Sequence, residues 1–197
     1  MLPPEPTRDS EHKYHFRGVE YPSVTQILKA VGMVNYSSIP AAIMEAAMMR
    51  GSYAHEACEL DDQGRLDETQ LDPRLLPYLQ AWRAFKKEAG VEVIPEWTER
   101  KMVSEALGYA GTMDRLVRWK GGEVCLDIKT GKCMRWTGVQ LAGYDILRGS
   151  FGVSNSLRLG LELRKDGTYK IVEFQFRNDY DVWMAALKVF NFGKGGA

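Results

Sequence analysis

The stretch GTMDRLVRWKGGEVCLDIK, residues 111–129, decides how this chain is read. Its second half carries Val124, Leu126 and Ile128 alternating with Cys125, Asp127 and Lys129. Strand side chains point to opposite faces in turn, so the aliphatic set supplies burial on one side. Asp127 and Lys129 share the other side with Cys125. Gly121-Gly122 reads as a two-residue hairpin turn. In that register Lys120 pairs with Glu123, Asp114 lies opposite Lys129, and Asp127 takes the neighbouring diagonal. Opposed residues point to one face with Cβ atoms roughly 5 Å apart. The sequence thus predicts Asp114, Asp127 and Lys129 together on one side of a hairpin, provided no bulge shifts the register.

Two carboxylates that close repel unless something cationic lies between them. The hairpin admits two answers. Lys129 alone can be that cation, in an Asp–Lys–Asp ion network on a solvated face. Alternatively a divalent ion is held there, and hard oxygen donors suit Mg²⁺ or Mn²⁺. A lysine beside such a site can orient or deprotonate a water and stabilise charge that develops on a phosphate.

The rest of the chain sets the frame. It has 197 residues, 45% apolar and 26% charged, with zero formal net charge. That is enough for one domain with its own core. A general nucleic-acid binder is usually basic, so contact with a polyanion must use a local patch. Arg115, Arg118, Lys120, Lys129, Lys132 and Arg135 cluster around the opening stretch. Glu56, Glu59, Asp61, Asp62, Asp67, Glu68 and Asp72 make an acidic region elsewhere. Cys58, Cys125 and Cys133 match no zinc or disulfide spacing and imply a reducing compartment. No apolar run approaches the roughly 18 residues of a membrane span. The Pro-rich, acidic start is neither a signal nor a transit peptide. Residues 1–13 are expected to be a flexible tail, 14–192 a single domain, and 193–197 a second tail.

Local signals predict the elements. Residues 14–21 form a hairpin around Arg17-Gly18. Ser23 caps a helix, Gln26 completes a capping box, and Gly32 stops it. Pro40 opens an Ala- and Met-rich helical region that Gly51 is expected to break or bend. Met44, Met48 and Met49 are expected to pack in the core. A third helix covers 73–89 and ends at Gly90. Strands are predicted at 91–103, 109–119, 123–130, 156–163 and 169–176, with helices at 136–147 and 180–190. The fold class is α/β or α+β, a central mixed sheet flanked by helices.

At this point the residues resemble a family. GTMD…LDIK resembles the PD-(D/E)XK nuclease superfamily in its RecB-like branch. That signature has an Asp on one strand, then Asp or Glu, any residue and Lys on the next; here these are Asp114, Asp127 and Lys129. RGSYAHE offers Arg50, Gly51 and His55 where the branch carries an upstream helical His, with Glu56 following as a surface or supporting acid. QLAGY offers Gln140 and Tyr144, four residues apart and so on one helical face. YPSVTQIL is similar to the opening helix of phage and mitochondrial exonucleases of this branch. The resemblance spans residues 21–176. Met113 stands where the nominal motif has Pro.

The resemblance implies a restriction-endonuclease-like core with an N-terminal helical region. It implies Asp114, Asp127, His55 and the Ile128 backbone carbonyl as ligands of one or two Mg²⁺ or Mn²⁺ ions, with catalytic Lys129 positioning the attacking water and stabilising the transition state. Gln140, Tyr144 and Arg50 would contact the phosphate backbone or brace the site. Arg135 and Trp136 would grip a phosphate and stack on a base. Glu105 is an auxiliary ligand candidate. Three cysteines cannot supply four thiolates, so no iron–sulfur cluster is expected. The implied activity is a DNA exonuclease of bacterial or phage recombination or repair. It would act in the cytoplasm on a single strand or duplex end, away from membranes, as a homo-oligomer or beside a recombination partner protein. An endonuclease on the same fold and an idle nucleic-acid-binding scaffold are the alternatives.

Overall fold

A capping box, a proline and a left-handed glycine set the first helices, and a bulged hairpin then aims the chain at the sheet. The protein is a computed structural model that describes residues 5–9, 13–149 and 157–194. Expectations that fall on 1–4, 10–12, 150–156 and 195–197 lie outside the described residues; these include most of the C-terminal tail and the start of the strand at 156. The chain opens with β1 (Thr7–Arg8), β2 (Tyr14–Phe16) and β3 (Val19–Tyr21), an antiparallel ribbon turned at Arg17 and Gly18. Two residues of the segment read as a tail, Thr7 and Arg8, therefore pair with β2.

Helix α1 (Val24–Ala30) begins with the expected reciprocal bonds between Ser23 and Gln26. Helix α2 (Ala41–Asp62) runs through Gly51 without interruption. A mid-helix glycine costs about 1 kcal/mol, which the burial of Ala54, Ala57 and Cys58 in the next turns offsets. Helix α3 (Leu76–Ala89) starts after a turn at 73–75 and ends at Gly90, whose φ of 62° needs no Cβ to accommodate. Met48 and Met49 are more than half exposed on α2, contrary to the core packing expected of them.

The strands follow: β4 (Glu92–Val93), β5 (Arg100–Ser104), β6 (Tyr109–Met113), β7 (Arg115–Trp119) and β8 (Gly122–Lys129). Then come α4 (Arg135–Leu147), β9 (Arg158–Leu163), β10 (Tyr169–Phe174) and α5 (Asn178–Lys194). The central five-stranded sheet has the order β10-β9-β8-β7-β4, and β5-β6 is a separate ribbon. Only β8 and β9 are parallel within it, joined across α4; the other pairs are antiparallel. The fold is mixed α and β, as expected.

Apolar clusters cover both faces. Val117, Val124, Leu126, Ile128, Leu159 and Leu161 pack against Tyr78, Trp82 and Phe85 of α3. On the other face Leu116 and Cys125 meet α1, α4 and α5 through Ile27, Leu28, Val139 and Trp183. The face that carries Asp127 and Lys129 is therefore covered, and Asp127 is 2% exposed. This corrects the reading of a solvated face.

Three expectations about the strands change. The hairpin turn is Lys120-Gly121, and Trp119 pairs with Gly122. Both turn residues have positive φ, 50° and 79°, the requirement of the tight turn that suits right-twisted strands. Lys120 accepts that strain, so the register slides by two residues from the expected one. Asp114 comes level with Asp127 rather than Lys129. A slide by two preserves the face, so the three side chains still share one side. The strand predicted at 109–119 breaks at Asp114: β6 joins the outer ribbon and β7 the central sheet. The strand predicted at 91–103 also breaks. Val93 pairs with Val117 and Arg100 with Met113, so seven steps on one strand oppose four on the other. Three extra residues bulge out. Pro95 lacks the N–H that a continuous ladder needs, and a short 3₁₀ turn at Pro95–Trp97 takes up the slack.

Candidate metal and nucleic-acid site

The bulge and the strand break meet at one point. Glu99 ends the bulge in a left-handed conformation, φ 47°, and its N–H donates to the Asp114 carbonyl at 2.9 Å. Its carboxylate thereby faces α2. The result is a group of three, His55, Glu99 and Asp114, whose ligand atoms all lie within 4.8 Å of one another. His55 Nδ1 lies 3.5 Å from Glu99 Oε1 and 3.7 Å from Asp114 Oδ1. Its other nitrogen, Nε2, donates to the Ile128 carbonyl at 2.8 Å. Asp114 Oδ2 accepts the Ile128 N–H at 2.7 Å. One residue of β8, Ile128, thus locks the imidazole through its carbonyl and the carboxylate through its N–H. The Ile128 carbonyl, expected as a ligand, is here an acceptor for His55.

Asp127 and Lys129 adjoin this group from the same strand. Lys129 Nζ lies 2.9 Å and 2.7 Å from the two Asp127 oxygens, and 3.4 Å from Gln140 Oε1. Gln140 Nε2 donates to Tyr144 Oη and to Thr25 Oγ1, each at 3.2 Å. Gln140 and Tyr144, read from one helical face of α4, therefore brace Lys129 and connect it to α1. The Trp136 ring lies 5.9 Å from Lys129 Nζ.

Other expected residues stand elsewhere. Glu105 lies in the turn between β5 and β6, paired with Arg17 at 3.1 Å. Arg135 is bonded to Asp179 at 2.6 Å and lies over Phe176. Arg50 does not line the cleft, and its buried Nε has no hydrogen-bond partner among the described residues. Glu56 does line it. Sequence reasoning missed Glu99. The signal was Pro95 inside a strand pattern, which marks an interrupted ladder and so a residue that can leave it.

Charge follows from this packing. Burial pulls the His55 imidazole down, but the Asp114 and Glu99 carboxylates outweigh it and push its pKa up to about 9. Burial, with Asp127 and Glu99 nearby, raises the Asp114 carboxyl to about 7 against the pull of His55. Burial alone would raise Glu99; His55 and Arg115 outweigh it and hold it below its usual value. Burial would lower Lys129, and Asp127 more than compensates, so its pKa is raised.

A cleft of about 740 Å³ opens over the group. Arg8, Lys29, Thr25 and Gln26 line it on the side of β1 and α1, and Met48, Ser52, Glu56 and Glu59 on the side of α2. The two carboxylates are hard oxygen donors and the imidazole is a borderline nitrogen donor, and the group as it stands could hold a divalent ion. No helix among the described residues is long and apolar enough to cross a membrane.

No family model and no curated protein matches the chain. Among solved structures, an alkaline exonuclease from Laribacter hongkongensis is similar to it at 13% identity and a TM-score of 0.37, covering 87% of this chain and 79% of its own. The crystal structure of SSO0001 is similar at 17% identity and a TM-score of 0.34, covering 74% of this chain and 71% of its own.

Proposed function

We propose that this chain is a Mg²⁺- or Mn²⁺-dependent nuclease of the PD-(D/E)XK type that hydrolyses DNA from an end. The observation that carries the reading is the convergence of His55, Glu99 and Asp114 under a cleft, with Asp127 and Lys129 beside them. His55, Glu99 and Asp114 would hold the ion, with Asp127 adjacent. A divalent ion bound there supplies Lewis-acid stabilisation of phosphoryl oxygens and a water of lowered pKa. Lys129, fixed by Asp127 and Gln140, lines the cleft, where it would orient the attacking water and offset charge on the phosphate. Arg8 and Lys29 give the cleft a cationic wall for a phosphate backbone. The half-buried Trp136 offers a surface for a base.

A competing reading has a specific observation behind it. The carboxylates of Glu99, Asp114 and Asp127 already face His55, Arg115 and Lys129, so the cluster balances its own charge. Such a protein would bind DNA and leave it intact. The deciding experiment is cleavage of end-labelled single- and double-stranded linear DNA with Mg²⁺, Mn²⁺ or chelator, with a covalently closed circle beside it. Metal-dependent shortening of linear DNA alone supports the exonuclease. Cutting of the circle means an endonuclease, and binding without product under any metal means the idle scaffold.

A further inference from the structure

Behind the three candidate ligands lies a cation that sequence reading left as part of a basic patch. Arg115 follows Asp114 directly, and its side chain is completely buried. Its Nη1 donates to Glu99 Oε1 at 3.0 Å and to the Asp114 carbonyl at 2.6 Å. Its Nε donates to Asp62 Oδ2 at 2.9 Å, and the guanidinium lies 5.7 Å over the Trp82 ring. Asp62 closes α2, two helical turns beyond His55. Asp62 is itself held by Trp82 Nε1 at 2.9 Å and Lys86 Nζ at 2.6 Å.

We propose that Arg115 is a positioning residue of the metal centre: it aims the Glu99 carboxylate, fixes the backbone at Asp114, and ties both to the helix that carries His55. This rests on the metal-centre reading above. Glu99 stands on a left-handed bulge residue and is a quarter exposed. Without a partner on its inner side, that carboxylate has every reason to turn to water. The guanidinium supplies a rigid fork whose donors reach three acceptors from three segments at once. An ammonium is a point charge and cannot hold that geometry. The buried cation and its anions depend on one another: removal of Arg115 leaves Asp62 with Lys86 and Glu99 with His55, and removal of Asp62 leaves Arg115 with Glu99 as its remaining carboxylate partner. The cost of this buried charge makes sense if the arrangement serves orientation. Groups that hold metal ligands in place typically change metal affinity 10–100-fold when lost.

The test is Mn²⁺ binding by the whole chain without DNA, followed by electron paramagnetic resonance and scaled to the folded fraction. Arg115→Met should weaken Mn²⁺ binding roughly 10–100-fold. Arg115→Lys and Asp62→Asn should weaken it less, and they carry the test if Arg115→Met does not fold. In a Glu99→Gln background, Arg115→Lys should add less than about a threefold further loss, because the carboxylate it aims is already gone. Variants that lose thermal stability yet bind Mn²⁺ within about twofold of wild type would overturn the proposal and leave a purely structural arginine. So would full additivity with Glu99→Gln. A wild-type chain that binds no Mn²⁺ would instead overturn the metal-centre reading itself, and the positioning role with it.

Discussion

Gly111 on β6 allows the most quantitative perturbation of the site. A Cβ built there would lie 2.8 Å from one ring carbon of Tyr144, 3.1 Å from a second and 3.2 Å from Val24. Ordinary contact begins at 3.4 Å, so the Tyr144 ring must retreat by at least 0.6 Å. The ring is 7% exposed, packs with residues of α1, α4 and α5, and borders the cleft on its open side. Overpacking of this kind costs about 1–3 kcal/mol. Ala in place of Gly in a strand returns roughly 0.5–1 kcal/mol of backbone entropy. The net expectation for Gly111→Ala is a destabilisation of about 0–2.5 kcal/mol, centred near 1 kcal/mol, or a fall in Tm of roughly 2–4 °C at that centre for a chain this size. The displacement should also travel. Tyr144 Oη bonds Gln140, and Gln140 bonds Lys129, so turnover should drop by about tenfold. Thermal unfolding by circular dichroism and a single-turnover cleavage assay read the two effects. Unchanged Tm with unchanged turnover would refute the claim that a tightly packed Tyr144 holds Lys129 in place.

Other outcomes follow from the same geometry. Asp127→Asn should reduce cleavage about 10²–10³-fold while the circular dichroism spectrum stays unchanged; activity near wild type would remove Asp127 from the site. Lys129→Ala should lose turnover yet keep Mn²⁺ affinity, and loss of binding would show that the lysine is structural. The metal-free protein should lose stability as pH rises, through two groups. Asp114 is raised from 3.8 to about 7 and His55 from 6.5 to about 9. Both bind protons more tightly when folded, so their contribution is full below the unfolded values and lost as pH rises through the folded ones. Tm measured in chelator should therefore carry a falling component across pH 4–9, and saturating Mn²⁺ should flatten it. His55→Ala should lose the imidazole's own part between pH 6.5 and 9, while Asp114, freed from the imidazole's pull, moves its part upward; a pH profile identical to wild type throughout would show that His55 is not perturbed as described.

What the sequence determined by itself is what short-range physics controls. The two-residue period of β8 put Asp127 and Lys129 on one face, and that survived a two-residue error in register because parity survived it. The Ser23–Gln26 box and Gly90 fixed helix ends from backbone bonding alone. The four-residue spacing of Gln140 and Tyr144 placed them on one side of α4. Tertiary structure decided the rest. The turn moved to Lys120 because strand pairing could force one lysine into a left-handed conformation. Glu99 entered the site because a three-residue bulge, set by how β4–β5 pairs with β6–β7, carried it opposite Asp114. Arg135 turned away because Asp179 of a distant helix captured it. Burial of the charged face depended on α4 crossing over it, and Arg115 became a strut because Asp62 and Glu99 arrived from opposite directions. Periodicity and caps act within a few residues. Which face is covered, and which residue is carried across a bulge, depends on contacts between segments far apart in the chain.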